Sequence, residues 1–270
     1  MRNIFKLSLA TACAVAALSS QAAIINLADG GSTVTIDSST NGVNTWMVGG
    51  QDHAFELNYF IRFNDSSAAI ALTSFASTFT GGGGTNNAVV SYDTADWRID
   101  VSYTLLGSAF VADLAQQVRV TNKTNTDMTL RLFDYNEFDM AGTFANDFST
   151  RLGNSTIRQA EGGASAATNV VGGATPVPDF SEMGTFSGLR TRITTSGYNL
   201  DTANGAGIGQ TLGPADLGFA FQWNATIGAG QTALFSTDKI VNNPIPEPAT
   251  MVGLGLGVAS LVAARRKRKA

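Results

Sequence analysis

The sequence predicts an all-β protein, with an antiparallel β-sandwich as a single domain. Two observations predict this fold. Apolar and polar residues alternate over several segments, and 29 glycines together with many small polar residues leave little room for long helices. The alternation also supplies apolar surface to bury, which a disordered chain lacks. The two ends differ from the body, so we divide the chain into residues 1–22, 23–243 and 244–270.

Strand patterns run through the body. Residues 97–105 alternate without error, and the segments 114–121 and 129–138 flank a polar turn that predicts a hairpin. The remaining predicted strands cover residues 32–36, 54–62, 69–77, 88–92, 156–159, 189–194, 217–223 and 232–240, the last two as a second hairpin. Residues 81–84 and 161–178 are predicted connections, the second a mobile surface loop, and residues 179–188 are predicted to hold a short helix.

Residues 1–22 have the composition of a secretory signal peptide. Arg2 and Lys6 precede an apolar run over residues 7–18, and small residues ending at Ala22 supply a cleavage site. The run is shorter than the roughly 20 residues that span a bilayer. Cys13 lies in this segment, so we expect Sec-type export and a processed chain without thiols or disulfides.

The C-terminal end combines a short apolar segment with a basic tail. Residues 251–264 would extend only about 21 Å as a helix, against a hydrocarbon core of about 30 Å. Five consecutive cations follow: Arg265, Arg266, Lys267, Arg268 and Lys269. Cations are costly to move through lipid, so they stop transfer on the cytoplasmic side and leave the body outside. We therefore predict a weak, transient anchor in the inner membrane.

An extended tripeptide precedes this anchor. The prolines of Pro246, Glu247 and Pro248 prevent helix formation and fit a protease cleft. The order of tripeptide, apolar segment and basic tail resembles the PEP-CTERM sorting signal of Gram-negative bacteria. The resemblance implies cleavage by an exosortase near these residues and a host that makes exopolysaccharide. It also implies delivery to the cell surface, outer envelope or extracellular matrix. An ordinary tail anchor is the alternative.

The charge of the body limits its partners. Residues 23–243 contain ten Lys and Arg against twenty Asp and Glu, a net charge of −10, compared with −4 for the whole chain. Nucleic acids and anionic lipids require concentrated positive charge, so we expect neither as a partner of the body. Neutral glycans, cations and other proteins remain open.

Catalytic and metal-binding patterns are sparse, and we predict no enzyme, no catalytic residue and no cofactor other than Ca²⁺. His53, the one histidine, is predicted to be a surface residue. The candidates for metal binding are Asp134, Asn136, Glu137 and Asp139. In a strand their side chains alternate between two faces, so they converge on Ca²⁺, with residues 146 and 147, only if the strand ends or bulges. Asx turns are the alternative, and carboxylates for glycosidase chemistry could come from the same segment.

Tryptophans are the candidates for stacking on a sugar. The alternating pattern places Trp97 and Trp223 in the core, whereas Trp46 lies in a weaker strand and is the candidate for an exposed ring. The leading hypothesis is an exported, structural or adhesive protein of the exopolysaccharide matrix, contributing to biofilm or floc formation. The alternatives are a carbohydrate-binding sandwich, with or without calcium, and a polysaccharide-active enzyme.

Overall fold

A computed structural model describes residues 23–63, 67–202 and 207–244. The predicted signal peptide, sorting tripeptide, apolar segment and basic tail all lie outside these residues. The described chain forms two 3₁₀ turns, at Leu72–Ser74 and Met140–Gly142, and one helix, α1, at Phe186–Ile193. The strands are β1 (Ile24–Asp29), β2 (Ser32–Asp37), β3 (Gly42–Val48), β4 (Gln51–Asp52), β5 (Glu56–Phe63), β6 (Ile70–Ala71), β7 (Ser77–Gly81), β8 (Asn87–Asp93), β9 (Trp97–Gly107), β10 (Val111–Asn122), β11 (Met128–Glu137), β12 (Asp147–Gly153), β13 (Thr156–Glu161), β14 (Asn169–Thr175), β15 (Phe180–Thr185), β16 (Thr211–Ala215), β17 (Leu217–Ile227) and β18 (Thr232–Asn242).

The strands form two sheets, which confirms the predicted β-sandwich. The first sheet has the order β1-β2-β3-β5-β11-β17-β15, with β4 beside β3 and β6 beside β5. The second has the order β16-β12-β13-β14-β18-β10-β9-β8-β7. Neighbouring strands are antiparallel except β3 and β5, which form a short parallel pair within the described chain.

The main core lies between the sheets and follows the strand alternation. Inward-facing residues of β9, such as Ile99 and Val101, are buried against the first sheet, as period-two patterning predicts. Trp97 and Trp223 belong to this core, as predicted. No helix in the described parts of the chain is long and apolar enough to cross a bilayer.

A second, smaller core covers the outer face of the first sheet. Helix α1 packs Leu189 and Ile193 against Phe133 and Tyr135 of β11. The prediction of a strand over residues 189–194 was therefore wrong. The spacing of Leu189 and Ile193 also fits one face of a helix, so the short pattern was ambiguous.

The prediction of a mobile loop over residues 161–178 was also wrong in part. Residues 169–175 form β14, which pairs with both β13 and β18 inside the second sheet. Glycines such as Gly172 and Gly173 are also common in turns, so the local pattern does not distinguish this strand from a loop. A Cβ atom on Gly172 would lie 2.8 Å from the Phe219 ring, so this glycine makes room for an aromatic side chain of the opposite sheet.

Candidate functional site

The outer face of the first sheet, beneath helix α1, contains carboxylate side chains that are buried. Glu56 on β5 is fully buried and lies 3.3 Å from Arg190, and Glu182 on β15 is fully buried and lies 2.6 Å from Arg192. Both arginines belong to helix α1. The helix therefore supplies a cation to each of these buried carboxylates.

A cleft of about 180 Å³ opens beside the first residue of the helix, where β11 ends. Three aromatic and three acidic side chains line it: Phe55, Phe144, Phe186, Glu137, Asp139 and Asp216. Phe144 is 66% exposed and Phe55 is 43% exposed, which is unusual for such large apolar side chains. The cleft thus combines apolar walls with oxygen atoms in its floor, a combination typical of small-ligand sites.

Backbone hydrogen bonds fix two walls of the cleft to its acidic residues. The Phe55 amide donates to the Glu137 carbonyl at 3.3 Å, and the Phe186 amide donates to the Asp216 carbonyl at 3.1 Å. The Phe55 and Phe186 rings meet edge to face, with centroids 5.5 Å apart. Contacts of this kind orient the aromatic walls before any ligand arrives.

A side chain from the second sheet joins the two acidic segments. The Gln159 amide donates to the carbonyl of Phe138 at 2.8 Å and to the carbonyl of Leu217 at 3.1 Å. Phe138 precedes Asp139 and Leu217 follows Asp216 in the chain. Gln159 therefore holds the ends of β11 and β17 together and keeps Asp139 close to Asp216.

Glu137 is the distinctive group of the cleft. It is 1% exposed, and its Oε2 atom has no hydrogen-bond partner among the described residues. Burial, together with Asp139, Asp216 and Asp147, raises its pKa to about 10. Glu137 is therefore protonated at neutral pH and hydrogen-bonds to Asp139.

The surrounding carboxyl groups share this environment. Burial raises the pKa of Asp139 and of Asp216, and burial with the nearby Glu161 raises the pKa of Asp147 to about 8. Asp147 is fully buried at the start of β12. Glu137 therefore offers the cleft a neutral carboxyl group that can donate and accept hydrogen bonds, beside aromatic faces.

The four residues predicted to bind metal lie on two sides of the first sheet. Asp134 and Asn136 are buried between the sheets, whereas Glu137 and Asp139 line the cleft. The strand β11 pairs regularly through Glu137 on both edges, so no bulge brings the four together. Among the described residues, no group of three or more acidic or histidine side chains is arranged to hold a metal ion.

Two predictions of exposure were wrong. Trp46 is fully buried and its ring packs against Phe138, so it cannot stack on a sugar in solvent. Its strand has a bulge near residue 44 that a simple alternation does not anticipate. His53 is also fully buried, and its Nε2 lies 3.2 Å from the Val48 carbonyl. Burial lowers the pKa of His53, which favours the neutral ring.

Sequence reasoning found Glu137 and Asp139 but missed the rest of the cleft. Asp216 and Phe186 come from segments far from β11 in the chain, and only the folded topology brings them together. Phe55 and Phe144 flank regular elements as single aromatic residues. Nothing in their local pattern distinguishes them from core residues.

The C-terminal residues 244–269 match the PEP-CTERM protein-sorting motif, which confirms the resemblance. The motif identifies an exported protein that is processed by an exosortase and anchored transiently through its C-terminal sorting signal. No curated protein matches the chain at a significant level.

Solved structures share the sandwich. A galactose mutarotase related enzyme from Lactobacillus acidophilus has a TM-score of 0.56 at 7% identity, over 82% of this chain and 98% of that one. A galactose mutarotase-like protein from Clostridium acetobutylicum has a TM-score of 0.53 at 10% identity, over 82% of this chain and 95% of that one. A bacterial glucoamylase complexed with acarbose has a TM-score of 0.55 at 7% identity, over 84% of this chain and 32% of that one. At these identities the likeness is one of fold.

Proposed function

We propose that this protein is a non-enzymatic component of the exopolysaccharide matrix that attaches to matrix saccharide through the cleft around Glu137. The observation that carries the proposal is Glu137, which lines an aromatic cleft and whose buried Oε2 atom has no hydrogen-bond partner within the described part of the chain. Leaving such a group unpaired costs about 1–3 kcal/mol, and a ligand hydroxyl would remove that cost. Export through the sorting motif brings the site to the matrix side of the envelope.

The chemistry of the cleft suits a neutral saccharide. Sugar hydroxyls both donate and accept hydrogen bonds, and the protonated Glu137 beside Asp139 offers both functions. The exposed rings of Phe55 and Phe144 suit the apolar C–H faces of a sugar ring. The net charge of −10 over residues 23–243 disfavours anionic polymers such as those rich in uronic acids.

The fold supports this proposal by analogy. The similar structures include a galactose mutarotase related enzyme that this chain matches over 98% of its length, so a protein of this fold is named for a saccharide reaction. Analogy of fold alone assigns no activity. The proposal therefore depends on the side chains of this cleft.

The acidic pair favours binding over hydrolysis. Glycosidase carboxyl groups stand about 5–5.5 Å apart in retaining enzymes and about 6.5–9.5 Å apart in inverting ones. Glu137 and Asp139 instead hydrogen-bond to each other, which leaves no room between them for an anomeric carbon or a water. We therefore propose an adhesive role, in biofilm or floc structure, without bond cleavage.

Retention of the protein on purified exopolysaccharide from the producing strain tests whether the cleft binds saccharide. We expect the full chain to bind, and Phe144→Ala to weaken the apparent affinity about tenfold, or about 1.4 kcal/mol, through lost apolar contact. Phe79→Ala is the matched control, because Phe79 is also an exposed phenylalanine (47%) but lies on β7 of the second sheet. Equal binding by wild type and Phe144→Ala, or release of reducing ends by the wild type, would overturn the proposal.

Deletion of residues 246–270 tests the proposed anchoring and processing separately from saccharide binding. The truncated protein should no longer be retained transiently in the inner membrane or processed by the exosortase, because it lacks the motif. Its binding to isolated exopolysaccharide should be unchanged. Unaltered processing and surface retention of the truncated protein would contradict the proposed route.

A further inference from the structure

A second group of polar side chains lies between the two sheets, away from the cleft. Lys239 on β18 of the second sheet and Asp134 on β11 of the first sheet face each other in the core. The Lys239 Nζ atom lies 3.2 Å from Asp134 Oδ1 and 3.1 Å from Asp134 Oδ2, and both side chains are at most 1% exposed. Water is therefore excluded from the pair.

Polar neighbours hold the amine in place. Lys239 Nζ donates to Gln116 Oε1 and, at 2.9 Å, to Thr237 Oγ1. The Tyr59 hydroxyl lies 3.0 Å from Thr237 Oγ1, and the Tyr59 ring centroid is 5.9 Å from Nζ. These contacts fix the lysine end at the carboxyl group, and Tyr59 with Thr237 forms a short chain of hydroxyls beside it.

The ion pair is costly to keep in this dry interior. Removing two ions from water costs several kcal/mol each, and their attraction repays that cost only in part. Burial lowers the pKa of Lys239, while Asp134 and Asp238 act in the opposite direction. The other titratable groups around Asp134 are the buried hydroxyls of Tyr59 and Tyr103, which carry no positive charge. Transfer of one proton from the ammonium to the carboxylate converts the pair into an amine and a carboxylic acid.

We propose that Lys239 and Asp134 condense to form an intramolecular isopeptide bond between the two sheets. The Nζ lone pair attacks the Asp134 carboxyl carbon, a C–N bond forms and a C–O bond breaks. The departing hydroxyl takes one amine proton and leaves as water, so no oxidant, reductant or further reactant is needed. Reactive groups held in contact in this way gain an effective concentration far above that of free reactants.

The product fits the same surroundings better than the ion pair does. A neutral amide carries no charge to desolvate, and its one N–H replaces the ammonium as the donor to Gln116 Oε1. The bond would join β11 and β18, which belong to different sheets and lie 105 residues apart in the chain. It would give the processed body a covalent link between its sheets although residues 23–243 contain no cysteine. This inference does not depend on the proposed saccharide site.

An exposed ion pair in the same chain provides the control. Lys123 Nζ lies 2.8 Å from Asp93 Oδ1, and these side chains are 37% and 52% exposed. Water stabilises both ions there, so this pair should remain uncondensed. Lys123 and Lys239 are the two lysines of residues 23–243, so one digest compares the buried and exposed pairs directly.

The test is peptide mass spectrometry of the purified full chain after denaturation and trypsin digestion. We expect the peptides that contain Asp134 and Lys239 to appear joined, with a mass one water below their sum, and cleavage to fail after Lys239. Cleavage after Lys123 should be complete. Quantitative recovery of peptides that end at an unmodified Lys239, from the folded wild type, would overturn the proposal. Lys239→Arg should lose the joined species, and its persistence in that variant would also overturn the assignment.

Discussion

Asp134 and Glu137 lie three residues apart on β11, yet they occupy opposite environments. Asp134 points between the sheets and meets Lys239, whereas Glu137 points to the outer face and lies among other carboxyl groups. Both are almost completely buried. The strand alternation thus separates a compensated acidic group from an uncompensated one.

The position of the nearest cation decides what each group does. Glu56 is paired directly with Glu137 in the register of β5 and β11, and the ion pair that Arg190 of helix α1 forms is with Glu56. A compensated carboxylate can serve the stability of the fold. An uncompensated one retains its proton and keeps an oxygen available for a ligand.

The largest expected effect is the loss of the interior partner. Asp134→Ala leaves Lys239 buried without its carboxylate or its cross-link, so the free energy of unfolding should fall by about 3–5 kcal/mol. Asp93→Ala removes the carboxylate of the exposed pair and should change it by about 0–1 kcal/mol. Chemical denaturation of both variants measures the difference. Similar losses in the two would remove the distinction between interior and surface pairs.

The next effect concerns the role of Glu137 as a neutral group. Glu137→Leu removes its donor and acceptor and should weaken retention on exopolysaccharide about tenfold, or about 1.4 kcal/mol. Glu137→Gln keeps a neutral donor and acceptor of similar shape and should bind within about threefold of wild type. A strong loss in Glu137→Gln would mean that the site needs the ionised carboxylate.

The pH dependence of the free energy of unfolding should reflect the raised pKa values of Glu137 and Asp147. Glu137 has a folded pKa of about 10 against an ordinary value of 4.5, so between these values the folded state holds a proton that the unfolded chain has released. Raising the pH through this range should therefore lower the free energy of unfolding. Asp147 should act the same way from its ordinary value of 3.8 up to its folded pKa of about 8.

Glu137→Gln should flatten the alkaline part of that dependence. In this variant the remaining decrease in the free energy of unfolding should end near pH 8, where Asp147 has ionised. Thermal unfolding over a series of buffers measures the slope. A wild-type protein that gains stability with rising pH across this range would contradict the assignment of a protonated Glu137.

The smallest effect should come from removing Arg190, the cation that helix α1 places beside Glu56. Arg190→Ala removes the cation beside Glu56 and should raise the pKa of Glu56 further, because burial already raises it and Arg190 opposes that rise. Arg190 is 42% exposed, so stability should fall by only about 0.5–1 kcal/mol. A carboxyl ¹³C titration follows the pKa, and an unchanged Glu56 would show that the helix does not compensate it.

Local patterns predicted the strands better than their pairing or the site. Alternation over residues 97–105 identified β9, which pairs with β10. Both predicted hairpins were wrong, because β10 and β11, and likewise β17 and β18, belong to different sheets and their connections cross between them. The same reasoning failed for β14, where Gly172 serves packing, and for Trp46, where a bulge and tertiary packing bury the ring.

The cleft and the interior pair depend on contacts between distant segments. Asp216 reaches the cleft because β17 pairs with β11, and Lys239 meets Asp134 because the two sheets stack. Sequence spacing contains neither fact. The acidic segment around Glu137 marked the correct neighbourhood, but only the topology separates its two faces.

The ¹³C resonance of the Glu137 carboxyl group, followed across pH with and without exopolysaccharide fragments, reports both the protonation of Glu137 and its contact with saccharide. We expect the free protein to keep Glu137 protonated at neutral pH, with a pKa near 10, and saccharide to shift this resonance. The Glu56 resonance, beside Arg190, should move much less. A Glu137 that titrates near its ordinary value of 4.5 and does not respond to saccharide would contradict both the protonated state and the saccharide site.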